Sequence, residues 1–185
     1  GSVRFTAHAV GNYTVRVRIV TRGWDSGAQP PVLVLPTPVD EHSFMVVRQQ
    51  PVSGVASAAL SPSPSLEVRD VYGNLYQGSI TVQGLTVAVS RAQGAERGRD
   101  VIFGPQDVDF LDGFAVLGSL TVSALHIGDE PGLPNCTMLR HLLFAGGIPI
   151  DGSAPTQHHT LTAYSDSFPL EPAAAAVATL TAPPL

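Results

Sequence analysis

An all-β chain folded as an antiparallel sandwich is what the sequence predicts, on three observations. Apolar and polar side chains alternate with period two in many short runs, the pattern of strands that bury one face. Sixteen Pro and eighteen Gly fall mostly between those runs, where the edges and corners of a sandwich need them. The one helix-compatible run, Ala173 to Ala176, is four residues long and follows Pro172, so the amphipathic helices of a parallel α/β fold are missing.

The elements follow in order. Asn12 to Val20 places Tyr13, Val15, Val17 and Ile19 on one face and Thr14, Arg16 and Arg18 on the other, a half-buried strand. Val32 to Leu35, bracketed by Pro31 and Pro36, is a short β run, and Phe44-Met45-Val46-Val47 begins another after the polar Asp40-Glu41-His42-Ser43 break. From Ser65 to Val71, Leu66 and Val68 point one way and Glu67 and Arg69 the other; Tyr72-Gly73-Asn74 then supplies a turn. Ser79 to Ser90 carries the longest strand signal, with Ile80 and Val82 in one parity and Leu85, Val87 and Val89 in the other. Gly84 sits at that phase shift, which is the mark of a bulge. Phe114 to Leu117, Leu120 to Ile127, His159 to Tyr164 and Ala176 to Leu180 complete the strands. Arg91 to Asp109 and Gly128 to Gln157 fit no minimal sandwich and read as long loops or inserted hairpins.

The two ends of the chain resemble each other. Gly11-Asn12-Tyr13-Thr14-Val15-Arg16-Val17 leads to Val32-Leu33-Val34-Leu35-Pro36, as Gln157-His158-His159-Thr160-Leu161-Thr162-Ala163 leads to Ala178-Thr179-Leu180-Thr181-Ala182-Pro183. The offset is 146 residues in both halves, 157 minus 11 and 178 minus 32. Residues 1–38 therefore read as the C-terminal strands of a preceding or strand-donating unit, 39–43 as a linker, and 44–182 as one complete unit with insertions at about 91–109 and 128–157.

Three stretches carry a family resemblance: Leu60-Ser61-Pro62-Ser63-Pro64-Ser65-Leu66-Glu67-Val68-Arg69-Asp70-Val71-Tyr72-Gly73-Asn74, with Val68-x-Asp70-x-x-Gly73-Asn74 its sharpest part; Gly113-Phe114-Ala115-Val116-Leu117; and His159-Thr160-Leu161-Thr162-Ala163-Tyr164-Ser165. They resemble the bacterial-type immunoglobulin-like repeats of surface adhesins, the invasin and filamin-like group, over most of residues 44–182. The departures are the two insertions and His159, where such repeats often carry Tyr, as Tyr13 does in the first copy. The resemblance implies an immunoglobulin-like sandwich with a spacer, adhesive or fibre-forming role.

Composition narrows the partners. With 44% apolar and 14% charged residues the chain has enough to bury and too little charge to stay disordered. Net charge is −5, and all ten basic residues are Arg, scattered singly from Arg4 to Arg140. A phosphate backbone needs clustered cations, so nucleic acid is not an expected partner. No run of about 18 apolar residues exists, so no membrane insertion by this segment is expected. Gly1-Ser2-Val3-Arg4-Phe5 lacks a signal-peptide pattern, which places any targeting signal outside these residues. Cys136 is the only cysteine and cannot form an internal disulfide.

The site residues weigh toward sugars. Asn12-Tyr13-Thr14 and Asn135-Cys136-Thr137 are N-glycosylation acceptor triplets, and Ser61-Pro62-Ser63-Pro64-Ser65 has the alternation of O-glycosylated wall proteins, or of a stiff extended linker. Trp24, in a turn, is the best candidate for stacking on a sugar, ahead of Tyr13, Tyr72, Tyr76 and Tyr164, although core and turn packing account for such rings more often. Asp107, Asp109 and Asp112-Gly113 look like a calcium loop only superficially, since Leu111 stands where a third ligand belongs. Asp70 bonds its own turn amides, while turn aspartates of this kind can also supply calcium ligands between repeats. His158 and His159 face opposite sides of a strand and cannot clasp one metal, and Cys136 with His141 has no companion acid for thiol chemistry. No catalytic residue, metal or cofactor beyond covalent glycans is expected.

These readings converge on a non-enzymatic, extracellular or cell-surface glycoprotein segment of tandem immunoglobulin-like repeats. Its expected partner is an identical or tandem repeat, with head-to-tail strand donation giving a fibre. The alternatives are a carbohydrate-binding module of a secreted enzyme or adhesin and, third, an intracellular filamin-like scaffold.

Overall fold

The computed structural model describes residues 4, 6–16, 18–19, 23–27, 29–91, 100–122, 138–150 and 158–171. Among these, every regular element is a β-strand. The first stretch makes two small ribbons. β1 (Gly11–Tyr13) pairs antiparallel with β4 (Val32–Val34), in the register Gly11–Val34, Asn12–Leu33 and Tyr13–Val32. Between them in the chain, β2 (Arg18–Ile19) pairs with β3 (Trp24–Asp25). The single strand expected over 12–20 is thus broken in two. Its middle is drawn aside by Arg16, whose guanidinium forks onto Asp25 (Nε–Oδ1 2.9 Å, Nη2–Oδ2 2.6 Å), and by the Gln29 N–H, which donates to the Val15 carbonyl at 3.2 Å.

The remaining nine strands share one sheet. They are β5 (Phe44–Gln49), β6 (Gly54–Val55), β7 (Ser65–Arg69), β8 (Ser79–Arg91), β9 (Asp100–Leu111), β10 (Phe114–Val116), β11 (Met138–Pro149), β12 (His158–Tyr164) and β13 (Phe168–Glu171). The order across the sheet is β5-β7-β10-β9-β8-β11-β13-β6. One edge of β11 is shared: Met138 to Arg140 pair with β13 and Leu143 to Pro149 with β12. All pairings are antiparallel except β13 with β6. The sheet curls until β12 lies beside β5, and side chains bridge that seam: His159 Nε2 is 3.0 Å from the Ser43 carbonyl, and the Asp166 N–H donates to Gln50 Oε1 at 2.9 Å.

The expected all-β, antiparallel character is observed, with the strands hydrogen-bonded as one curled half-barrel around a single core. Inward-facing side chains come from every long strand: Leu66 and Val68, Val82, Leu85, Val87 and Val89, Phe110, Leu142, Phe144 and Ile148, Leu161, Phe168 and Leu170. Each full burial of this size contributes about 1.5–3 kcal/mol of transfer free energy. The bulge expected at Gly84 is present: the β8–β9 register shifts between Val82 and Leu85, and Gly84 has φ +58°. Opposite it Gly146 must stay small, because a Cβ there would meet Val82 Cγ1 at 2.5 Å.

The two stretches expected to be insertions differ most from expectation. Residues 91–109 hold most of β9, and residues 128–157 hold β11; both are interior strands of the sheet. Gly104-Pro105 and Gly146-Gly147 read as loops, yet Pro is tolerated where the ladder is irregular, and the register of β9 shifts again between Leu85 and Val87 of its partner. Asp112-Gly113, read as a fragment of a metal loop, is the two-residue β9–β10 hairpin, with φ +48° and +70°, the positive pair that such a turn requires. The strand expected over 120–127 appears only as a bridge from Thr121 to Ala59, and residues 123–127 and 176–180 lie outside the described residues.

Candidate functional site

The most densely bonded polar feature is the turn that follows β7. Gly73, with φ +83°, lets the chain reverse, and Asp70 closes the turn by accepting the Tyr72 and Asn74 N–H groups on Oδ1 at 2.9 and 2.8 Å. The Asn74 side-chain amide donates to Asp70 Oδ2 at 3.0 Å. Both side chains then reach the N-terminal ribbon. The Thr37 N–H donates to Asp70 Oδ2 at 3.1 Å; Asn74 Oδ1 accepts the Val10 N–H at 3.2 Å, and its Nδ2 donates to the His8 carbonyl at 2.8 Å. His8 also sets its ring edge-on to Tyr72, centroids 4.5 Å apart. One turn therefore grips the β1–β4 ribbon on both sides, before β1 and after β4.

Asp70 is almost fully buried. Burial pushes its pKa up, but the hydrogen bonds from the Asn74 side chain and from the N–H groups of Asn74, Thr37 and Tyr72 outweigh it. The carboxyl is held below the ordinary aspartate value. Glu67, two strand positions earlier on the same face as Arg69, behaves likewise. It is 1% exposed and pairs with Arg48 (Nη1–Oε1 2.5 Å) and Arg69 (Nη2–Oε2 2.5 Å). Desolvation works against its charge, and the two guanidiniums override that and lower its pKa. Arg69 also donates to the Gly73 carbonyl at 2.6 Å, which joins this ion group to the turn.

The residues singled out by sequence fall in several places. Asn12 is exposed on β1 with Thr14 exposed nearby; Asn135 and Cys136 lie outside the described residues. Ser61 is exposed and Ser63 half-buried, donating weakly to the Gly118 carbonyl at 3.5 Å. Pro62 follows a cis peptide bond, Pro64 is buried, and Ser65 is 1% exposed with Oγ accepting the Gln49 N–H at 3.1 Å. A sugar on Ser65 would have to displace that bond. Trp24 is 52% exposed, next to Asp25, which Arg16 holds in a fork; Gln29 Nε2 donates to the Ser26 carbonyl at 3.1 Å close by.

The three aspartates do not converge. Asp107 Oδ1 accepts the Gly84 N–H (2.9 Å), Asp109 Oδ1 the Thr81 hydroxyl (2.6 Å) and Asp112 Oδ1 the Gly78 N–H (3.2 Å). Among the described residues no three His, Cys, Asp or Glu side chains form a metal-holding group, and no helix is long and apolar enough to cross a membrane. His158 is exposed, whereas His159 is half-buried against Ser43. Sequence reading placed Asp70 in its turn but missed the reach of Asn74 across 64 and 66 residues, for which the only signal was an Asn immediately after the turn glycine. No family model, curated protein or solved structure matches the chain.

Proposed function

We propose that the chain is a structural or adhesive segment of an extracellular glycoprotein, built of tandem immunoglobulin-like units, that works by cohesion and not by catalysis. One observation carries this reading: a two-stranded ribbon with exposed apolar side chains is clamped through both its strands, at one end, onto a β-sheet body that has its own core. Val32, Leu33 and Leu35 are exposed, and among the described residues each strand of the ribbon pairs only with the other, which leaves an edge on each side. Such an edge is completed by a strand from a neighbouring unit, and identical units joined this way head to tail do not close, which makes a fibre. On this reading the curled, antiparallel all-β sheet is a variant of the immunoglobulin-like fold. Asn12 and Ser61, both exposed, are accessible to glycans; Asn135 is the second N-linked acceptor proposed.

Negative-stain imaging of the particle from its source, with mass spectrometry of Asn12 and Asn135, tests this. Beaded fibres and occupied acceptors are the expected result. Discrete monomers with both sites bare overturn it and favour an intracellular scaffold.

The exposed Trp24 supports a second reading, a carbohydrate-binding module. An exposed indole face is a common way to hold a neutral sugar ring by stacking. Under that reading Trp24→Ala abolishes binding on a glycan array; a cohesive segment has no such affinity to lose.

A further inference from the structure

The convex face of the sheet carries a pattern that the core and the ribbon leave unexplained. Outward-facing partners run in register across four strands: Val46 on β5, Glu67 on β7, Phe114 on β10 and Leu111 on β9. Phe44 and Val116 flank this row on the same face, beside Arg69 and Ser65. Phe44 is 38% exposed, Phe114 37%, Val116 55% and Leu111 69%. Glu67 adds no exposed charge to the row, because it lies buried beneath Arg48 and Arg69. A surface approaching the row therefore meets the two guanidiniums over β7 and, beside them, the adjoining apolar side chains Phe114, Val116 and Leu111 on β10 and β9, the mark of an interaction site.

The rims of this face carry opposite signs. On the β5–β7 side stand Arg48, whose side chain is 63% exposed, and Arg69; two cations against the one Glu67 carboxylate leave that rim positive. On the β9 side Asp107 and Asp109 are exposed and bonded only to neutral donors, the Gly84 N–H and the Thr81 hydroxyl, which leaves that rim negative. A face that is positive at one side, apolar in the middle and negative at the other is complementary to itself. Turned about a two-fold axis lying between the faces and running along β10, each arginine rim comes over the partner copy's aspartate rim, and the apolar rows meet.

We propose that this convex face is an isologous interface that pairs two copies of the chain. Such a contact is closed, in contrast to end-to-end strand completion, so it joins two units or two fibres side by side. It stands on the face alone and does not depend on the ribbon or on the compartment.

Sedimentation velocity of the full chain, over a range of concentration and salt, is the test. The expected result is a dimer that weakens as salt rises, since the rim pairs are exposed and screened. Leu111→Glu and Val116→Glu each place a carboxylate in the apolar middle and are expected to raise the dimer dissociation constant by about tenfold or more. Both side chains are more than half exposed, so an unchanged thermal midpoint in each variant separates lost pairing from lost folding. Asp109→Arg is expected to weaken the dimer at low salt and to flatten its salt dependence. A chain that stays monomeric up to about 100 μM overturns the proposal. So does association that both glutamate variants leave intact, which would then run through another surface and leave strand completion to its own test.

Discussion

The N-terminal ribbon and the curled sheet are written in the same two-residue pattern, yet they are held by different forces. In the sheet every long strand sends alternate side chains into a shared core, and Leu66, Val68, Val82, Phe110, Leu142 and Phe144 are fully buried. In the ribbon the same kinds of side chain face outward, with Leu33 and Leu35 each 60% exposed, and the segment is positioned by hydrogen bonds to one turn. Alternation therefore specifies a strand but not its burial. Burial requires enough neighbouring strands to enclose a face, which nine strands achieve and two do not.

Removing part of the shared core breaks the comparison most sharply. Phe144 lies on β11 at zero exposure, paired across the ladder with Val87 of β8 and Ala163 of β12. Phe144→Ala leaves a cavity and is expected to cost about 3–5 kcal/mol, read as a lower midpoint in chemical denaturation with the slope preserved. A loss below about 1 kcal/mol would mean that the sheet does not enclose one core.

The clasp between the regions ranks next. Asp70→Ala removes the acceptor for Thr37, Tyr72 and Asn74 and leaves their N–H groups unpaired, a loss of about 1–3 kcal/mol. Amide exchange at Thr37 should accelerate with it. Asn74→Ala should speed exchange at Val10 while costing the sheet less, since His8 and Val10 are its ribbon contacts. Acid acts in the same direction. The pKa values of Asp70 and Glu67 are both lowered in the fold, so their contribution is complete above the unfolded carboxylate values and is lost as pH falls through the lowered folded ones. Stability should therefore decline from about pH 4 downward, and a midpoint that is flat or rises there contradicts the arrangement around these carboxylates.

How far the sequence discloses this molecule depends on the signal each part leaves. β8 is legible because thirteen residues of alternation, with one parity change at Gly84, admit a single bulged-strand reading. β7, its turn and β12 are legible for similar reasons. β9 and β11 are not, because Gly104-Pro105, the inward Arg140 and the inward Gly146 interrupt the apolar parity at positions where a neighbouring backbone sets the requirement. Alternation also says which side chains point inward without saying which strand pairs with which, so the curled order of the sheet had no sequence signal. The site divides along the same line. Asp70 bonding its own turn is a local event, but the partners of Asn74 and the second arginine on Glu67 come from chain 64, 66 and 19 residues away.

The smallest effect is the most informative about the ribbon. Leu33→Ala trims a side chain that has little to lose in one isolated chain, and the denaturation midpoint should move by no more than about 0.5 kcal/mol. In a fibre completed by strand addition, that side chain sits against an added strand, and the same truncation should cost about 1–3 kcal/mol of assembly, read as a higher critical concentration. Stability that is indifferent to Leu33 alongside assembly that depends on it would mean that the ribbon is half of a sheet finished by another unit. Equal and small effects on both would leave the ribbon as a tethered arm, with its cohesion seated elsewhere.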